Sequence, residues 1–84
     1  MDALDGNAVA GMLVDAFGAE MTTATGVCAS CGRRSLLAEL AVYLRAPGAV
    51  ARCRGCGNVV LVLVETHGVT RADTSGLAAL EPAK

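Results

Sequence analysis

The sequence predicts an α+β fold that is mostly β, built from antiparallel hairpins with one short N-terminal helix. Three observations predict it. All four cysteines fall in two Cys-x-x-Cys-Gly units, at 28–32 and 53–57. The segments flanking those units are rich in Thr, Val and Leu and alternate between two faces, as half-buried strands do. One stretch, residues 8–17, instead carries apolar side chains at helical spacing.

The helix comes first. Val9, Met12, Leu13, Ala16 and Phe17 fall at i, i+3, i+4, i+7 and i+8, the stripe of an amphipathic helix. Asp5 or Asn7 suits its start and Gly18 its end, giving a helix over about 7–18. Gly11 weakens it by about 1 kcal/mol relative to alanine unless close packing requires it. So short a helix must lean on something. Either it packs on the domain's own sheet, or Val9, Met12, Leu13 and Phe17 form a docking stripe for a partner or a second copy.

Residues 20–27 are rich in β-branched threonine and read as a strand entering the first cysteine unit. Most of 36–45 is also read as strand, with Leu40, Val42 and Leu44 on one face and Ala41, Tyr43 and Arg45 on the other. Ala46-Pro47-Gly48 turns the chain. Val50-Ala51-Arg52 returns it to the second cysteine unit, closing a hairpin that brings the two units together. Val59–Val64 reads as a buried strand, Thr66-His67-Gly68 as a turn, and Val69–Thr74 as an antiparallel partner. Gly76–Leu80 reads as a helical turn and 81–84 as a frayed tail. This is one domain over 1–84, with the ribbon and sheet at about 20–75.

Each Cys-x-x-Cys turn places two sulfurs on one side of a tight bend, half a tetrahedron. Two such turns complete the four-ligand shell that structural zinc requires. The glycine after each pair supplies positive φ at no steric cost. Backbone N–H groups in the bend can then point at the thiolates. Twenty-one residues, Gly32 to Arg52, separate Cys31 from Cys53, one beyond the rough 15–20 of the paired motif. A hairpin of variable length absorbs that difference. The expectation is one structural Zn²⁺ on Cys28, Cys31, Cys53 and Cys56, that is, a zinc ribbon. Two redox dithiols, a disulfide pair or unrelated buried cysteines are the alternatives. A thioredoxin-type unit opens a helix after a strand, whereas here the flanks read as strands.

Composition makes a metal staple useful. The chain is 54% hydrophobic, yet it has one Phe, one Tyr and no Trp. A core of Ala, Val and Leu in a domain this small is marginal. Structural zinc contributes about 10–16 kcal/mol in small peptides, against roughly 5–15 kcal/mol of net stability for a typical domain. The ribbon is therefore expected to depend on zinc.

The opening residues carry no basic or secretory segment. The longest apolar run, Val59–Val64, is far short of the roughly 20 residues a membrane-spanning helix needs. No membrane association is expected, and a cytoplasmic location is, where thiols stay reduced.

Further motifs join the cysteines. Leu4-Asp5-Gly6-Asn7-Ala8 opens the helix and Phe17-Gly18 ends it. Tyr43-Leu44-Arg45-Ala46-Pro47-Gly48 lies between Cys28-Ala29-Ser30-Cys31-Gly32 and Cys53-Arg54-Gly55-Cys56-Gly57. Together, over roughly residues 4–80, they resemble a family of small actinobacterial zinc-ribbon proteins classed as a domain of unknown function. The resemblance implies zinc at the same four cysteines and implies no activity.

Three function classes remain. The first is a non-catalytic module that binds a protein or a second copy of itself, favoured by small size and the lack of a catalytic constellation. The second is nucleic-acid binding through Arg33, Arg34, Arg52 and Arg54, which flank the cysteines and could contact phosphates. Against it stand a formal charge of −1 and a single aromatic, Tyr43, near those arginines. The third is a redox-responsive thiolate switch. No nucleophile–base pair is visible, so an enzyme is not expected. His67, the one histidine, reads as a solvated turn residue.

Overall fold

The computed structural model describes residues 3–82. Met1, Asp2, Ala83 and Lys84 lie outside the described residues, and with them the last two positions of the expected tail.

Near the start of the described residues, the Leu4 N–H and C=O exchange hydrogen bonds with Val42 at 2.9 and 2.7 Å. Asp5 then caps a 3₁₀ turn, Gly6–Val9, its carboxylate accepting from Asn7 N at 3.0 Å. Gly6 has a steric reason to be glycine, since a Cβ there would sit 1.8 Å from the Leu37 carbonyl oxygen. The turn runs into α1 (Ala10–Phe17), which Gly18 ends at φ 74° by donating to Val14 O at 2.7 Å. That is the left-handed helix end for which glycine is favoured.

Among the described residues, seven strands come after the helix: β1 (Thr25–Cys28), β2 (Arg34–Leu36), β3 (Ala41–Arg45), β4 (Gly48–Arg52), β5 (Val59–Thr66), β6 (Val69–Asp73) and β7 (Leu77–Glu81). They form two antiparallel sheets, ordered β2-β1-β7 and β3-β4-β5-β6. The mostly-β architecture with one short helix matches the sequence expectation.

In the larger sheet, Val42, Ala49, Ala51, Leu61 and Leu63 are buried. Their cross-strand register puts them on one face. Val9 and Leu13, 3% and 1% exposed, join that core, with Met12, Ala16 and Phe17 packed against it. The helical stripe is therefore the chain's own core. Val9 and Leu13 are not available to a partner, and Met12 and Phe17 are half-buried beside them. The physical reason is area: with so few aromatics, the sheet needs these side chains to exclude water.

Four local readings are corrected. Residues 20–24 are not strand. Glu20 accepts from Thr22 N at 2.7 Å, from the Thr22 hydroxyl and from the Thr23 hydroxyl, so its carboxylate organises a turn. These bonds, led by the Thr22 hydroxyl, hold the Glu20 carboxyl below its ordinary value. Residues 37–40 are also not strand, because Leu37–Glu39 form a 3₁₀ turn. Leu37 N and Ala38 N donate to Ala24 O and Thr22 O in the Glu20 turn, at 2.9 and 3.0 Å. Gly76–Leu80 is not a helical turn, since Leu77–Glu81 is a strand paired to β1. Finally, Glu81 is no frayed tail: it ion-pairs with Arg34 at 2.6 Å.

Candidate metal centre

Each cysteine unit is the loop of a hairpin, and each sheet supplies one. The first joins β1 to β2 in the smaller sheet, and the second joins β4 to β5 in the larger. The backbone solution is the same twice. Cys28 N donates to Arg33 O and Gly32 N to Cys28 O, both at 2.9 Å. Cys53 N donates to Asn58 O and Gly57 N to Cys53 O, again at 2.9 Å. Gly32 and Gly57 sit at φ 78° and 81°, where a side chain is strained. The glycine in each motif is thus set by the turn.

A bulge lies beside each loop. The β1–β7 register shifts at Val27/Cys28, and the β4–β5 register shifts at Ala51/Arg52. An extra residue on one strand bends the ribbon and re-aims the adjoining loop.

The four sulfurs lie close together. Cys28 Sγ lies 3.6 Å from Cys56 Sγ, and Cys31 Sγ lies 3.6 Å from Cys53 Sγ. All four are within 4.8 Å of one another. They are free thiols, and these separations far exceed the roughly 2.0 Å of a disulfide. A tetrahedron of sulfurs each about 2.3 Å from a zinc ion has edges of about 3.8 Å. The cluster therefore has the dimensions to hold one metal ion. In each pair the first cysteine is buried and the second exposed, so the site has a covered floor and an open rim.

The electrostatics fit a cation. The N–H groups of Cys31 and Ser30 point at the Cys28 sulfur and pull its thiol down to about 7. Those of Cys56 and Gly55 likewise lower Cys53, and Gly55 N lies 3.3 Å from its sulfur. The Arg33 N–H acts on Cys31 in the lowering direction. Desolvation and the neighbouring sulfurs outweigh it and push that thiol up to about 11. Two of the sulfurs are prepared as thiolates, and the fourfold cluster resists further negative charge until a positive ion is added. Among the described residues, these cysteines form the one group of three or more potential metal ligands. His67 is not among them. It sits exposed at φ 54° before Gly68 at φ 79°, in the two-residue turn between β5 and β6.

Of the four arginines singled out near the cysteines, three make hydrogen bonds or an ion pair within the chain. Arg34 is paired with Glu81 on the smaller sheet. Arg54 reaches away from the loop, donating from Nε to Glu39 O at 2.7 Å and from a terminal nitrogen to Leu4 O at 3.4 Å. It clips the second cysteine loop to the N-terminal segment, a role that residue spacing does not reveal. Arg52 donates to Gly57 O at 2.8 Å, bracing the end of its own loop. Arg33 is exposed.

The fold and cluster define a class: a small antiparallel β protein whose paired hairpin loops bring four thiols close enough together to hold one metal ion. Among the described residues, no helix is long and apolar enough to cross a membrane. The chain belongs to DUF6510, a family of unknown function, whose model matches residues 1–84. No curated protein and no solved structure matches it.

Proposed function

We propose that the cysteine cluster holds one structural zinc ion, and that the protein is a non-catalytic module for binding another protein in the cytoplasm. The observation that carries the metal reading is the sulfur geometry, four thiols within 4.8 Å on two identical turns. All-thiolate tetrahedral sites favour zinc over hard cations. Four sulfurs would fill its shell and leave no position for a reacting water, which supports a structural role. The ion would tie the β1–β2 loop to the β4–β5 loop and so cross-link the two sheets. Partner binding is favoured over nucleic acid because Arg34 and Arg54 are engaged within the chain.

Native mass spectrometry tests the metal reading. One zinc per chain is expected, with all four thiols protected from alkylation until a chelator is added. A metal-free protein with freely alkylated or oxidised cysteines would falsify it.

A further inference from the structure

The larger sheet has a second face. Strand alternation places Tyr43 and Arg45 of β3, Val50 and Arg52 of β4, Val62 and Val64 of β5 and Arg71 of β6 opposite the buried core face. Tyr43, Arg45, Val50 and Arg52 line a shallow recess of about 180 Å³. Tyr43, Val50 and Val62 form one cross-strand row and are half-buried. Arg45, Arg52 and Arg71 surround that row and are exposed. Arg52 is tied only to a backbone carbonyl, which leaves its charge uncompensated. Among the described residues, the Arg45 and Arg71 side chains have no hydrogen-bonded or ion-pair partner. One acid shares the face: Asp73, at the β6 end of the apolar row, accepts from Ser75 N at 2.9 Å.

We infer that this face binds an extended acidic segment of a partner protein, with carboxylates at positions i and i+4 and an apolar side chain between them at i+2. The inference rests on the protein-binding reading above and names its surface and partner.

The spacing carries the argument. Arg52 pairs in register with Ala41, four residues from Arg45 along β3. The two guanidiniums are therefore based about 13 Å apart along the strands. Arg45 and Arg71 share a row three strand spacings wide, about 14 Å. In an extended segment, side chains at i and i+4 share a face and lie about 13 Å apart, with i+2 midway. Along the strands, from Arg45 to Arg52, that places acidic groups over arginines and an apolar group over Tyr43 and Val50; across them, from Arg45 to Arg71, the apolar group falls between Gly48 and the exposed Val64. An aromatic-containing apolar centre within an arginine rim is also how protein interfaces are built.

Other occupants fit less well. Single-stranded nucleic acid relies on successive aromatic platforms, whereas the centre here has Tyr43 with valines, and Asp73 would face the phosphates. A second copy docked face to face would set arginines against arginines.

The test uses ¹⁵N-labelled protein of measured zinc content and a synthetic blocked five-residue peptide. The peptide has glutamate at its first and fifth positions and leucine at its third. Amide shifts are expected at Tyr43, Arg45, Val50, Arg52, Val62 and Arg71. Replacing the peptide's glutamates by lysine should abolish them. Arg45→Glu with Arg71→Glu should weaken binding about tenfold. Arg33→Glu, off this face, should have little effect.

A silent face in folded protein, shifts elsewhere, or equal weakening by Arg33→Glu would each overturn the inference. So would tighter binding of a thymidine oligonucleotide to the same residues, or concentration-dependent shifts there without peptide. Binding at this face by protein lacking zinc would support the inference while refuting the metal reading, so the two can fail separately.

Discussion

The larger sheet buries Val42, Ala49, Ala51, Leu61 and Leu63 beneath α1, and its β5 runs for eight residues. The smaller sheet is made of strands of four, three and five residues. Two of these, β2 and β7, have no buried residue. Yet each sheet contributes half of the cysteine cluster. One sheet holds itself together by apolar burial, while the other adds to its ladder hydrogen bonds only the half-buried Leu77 and Leu80 against the edge of that core, Leu37 and Leu77 beside Gly26, and an exposed ion pair. The cluster joins a self-sufficient layer to a dependent one, so a metal there would matter most to the smaller sheet.

The largest test of this contrast is to remove the metal. Chelation or Cys53→Ser should strip hydrogen-exchange protection from β1, β2 and β7, while amides of β4 and β5 stay protected. The interaction lost is large on the scale of a small domain, about 10 kcal/mol or more where structural zinc has been measured in peptides. Uniform loss across both sheets would show that they unfold as one unit and break the comparison.

Acid should act in the same direction. The Cys28 thiol is lowered in the folded cluster to about 7 from its ordinary value of 9.0. A depressed thiol favours the folded cluster above its unfolded value, and that contribution is lost as pH falls through the folded one. Metal bound to thiolates must likewise compete with protons. Zinc affinity should therefore weaken as pH falls through about 7, with more than one proton taken up per ion released. A colorimetric zinc indicator read across pH checks this. An affinity unchanged from about pH 8 to about pH 5 would mean that the ion is not held by thiolates that compete with protons.

Leu13→Ala probes the other layer. Leu13 is 1% exposed, and such truncations cost about 2–5 kcal/mol. The denaturation midpoint should fall, with metal stoichiometry kept at one per chain. Loss of the metal together with the helix contact would place the cluster's support in the core rather than in the two loops.

Legibility in the sequence divides along the same line. The strands of the larger sheet could be read because their alternation is set by one buried face, from Val42 through Leu61 and Leu63. The cysteine loops could be read because metal chemistry constrains spacing and the turn demands glycine. β7 could not, because Leu77-Ala78-Ala79-Leu80 has helical composition. It becomes a strand only by pairing with β1, some fifty residues earlier in the chain, and such context overrides propensity. The role of Gly6 was hidden for a similar reason, since the carbonyl that excludes its side chain belongs to Leu37. Arg54 read as a phosphate contact because sequence shows a charge, not the carbonyls of Glu39 and Leu4 that receive it.

Gly11 gives the smallest effect and the most selective one. It is exposed within α1, and a Cβ there would meet nothing within 4 Å, so close packing does not account for it. Gly11→Ala should stabilise the helix by about 0.5–1 kcal/mol by removing backbone freedom from the unfolded chain. Because α1 lies on β5 and β6, the gain should appear as slower exchange in the larger sheet. It should leave β1, β2 and β7 unchanged in metal-free protein, where the cluster no longer transmits it. Equal slowing in both sheets without metal would mean that the helix, not the cysteine cluster, couples them, and the division drawn from burial would have to be abandoned.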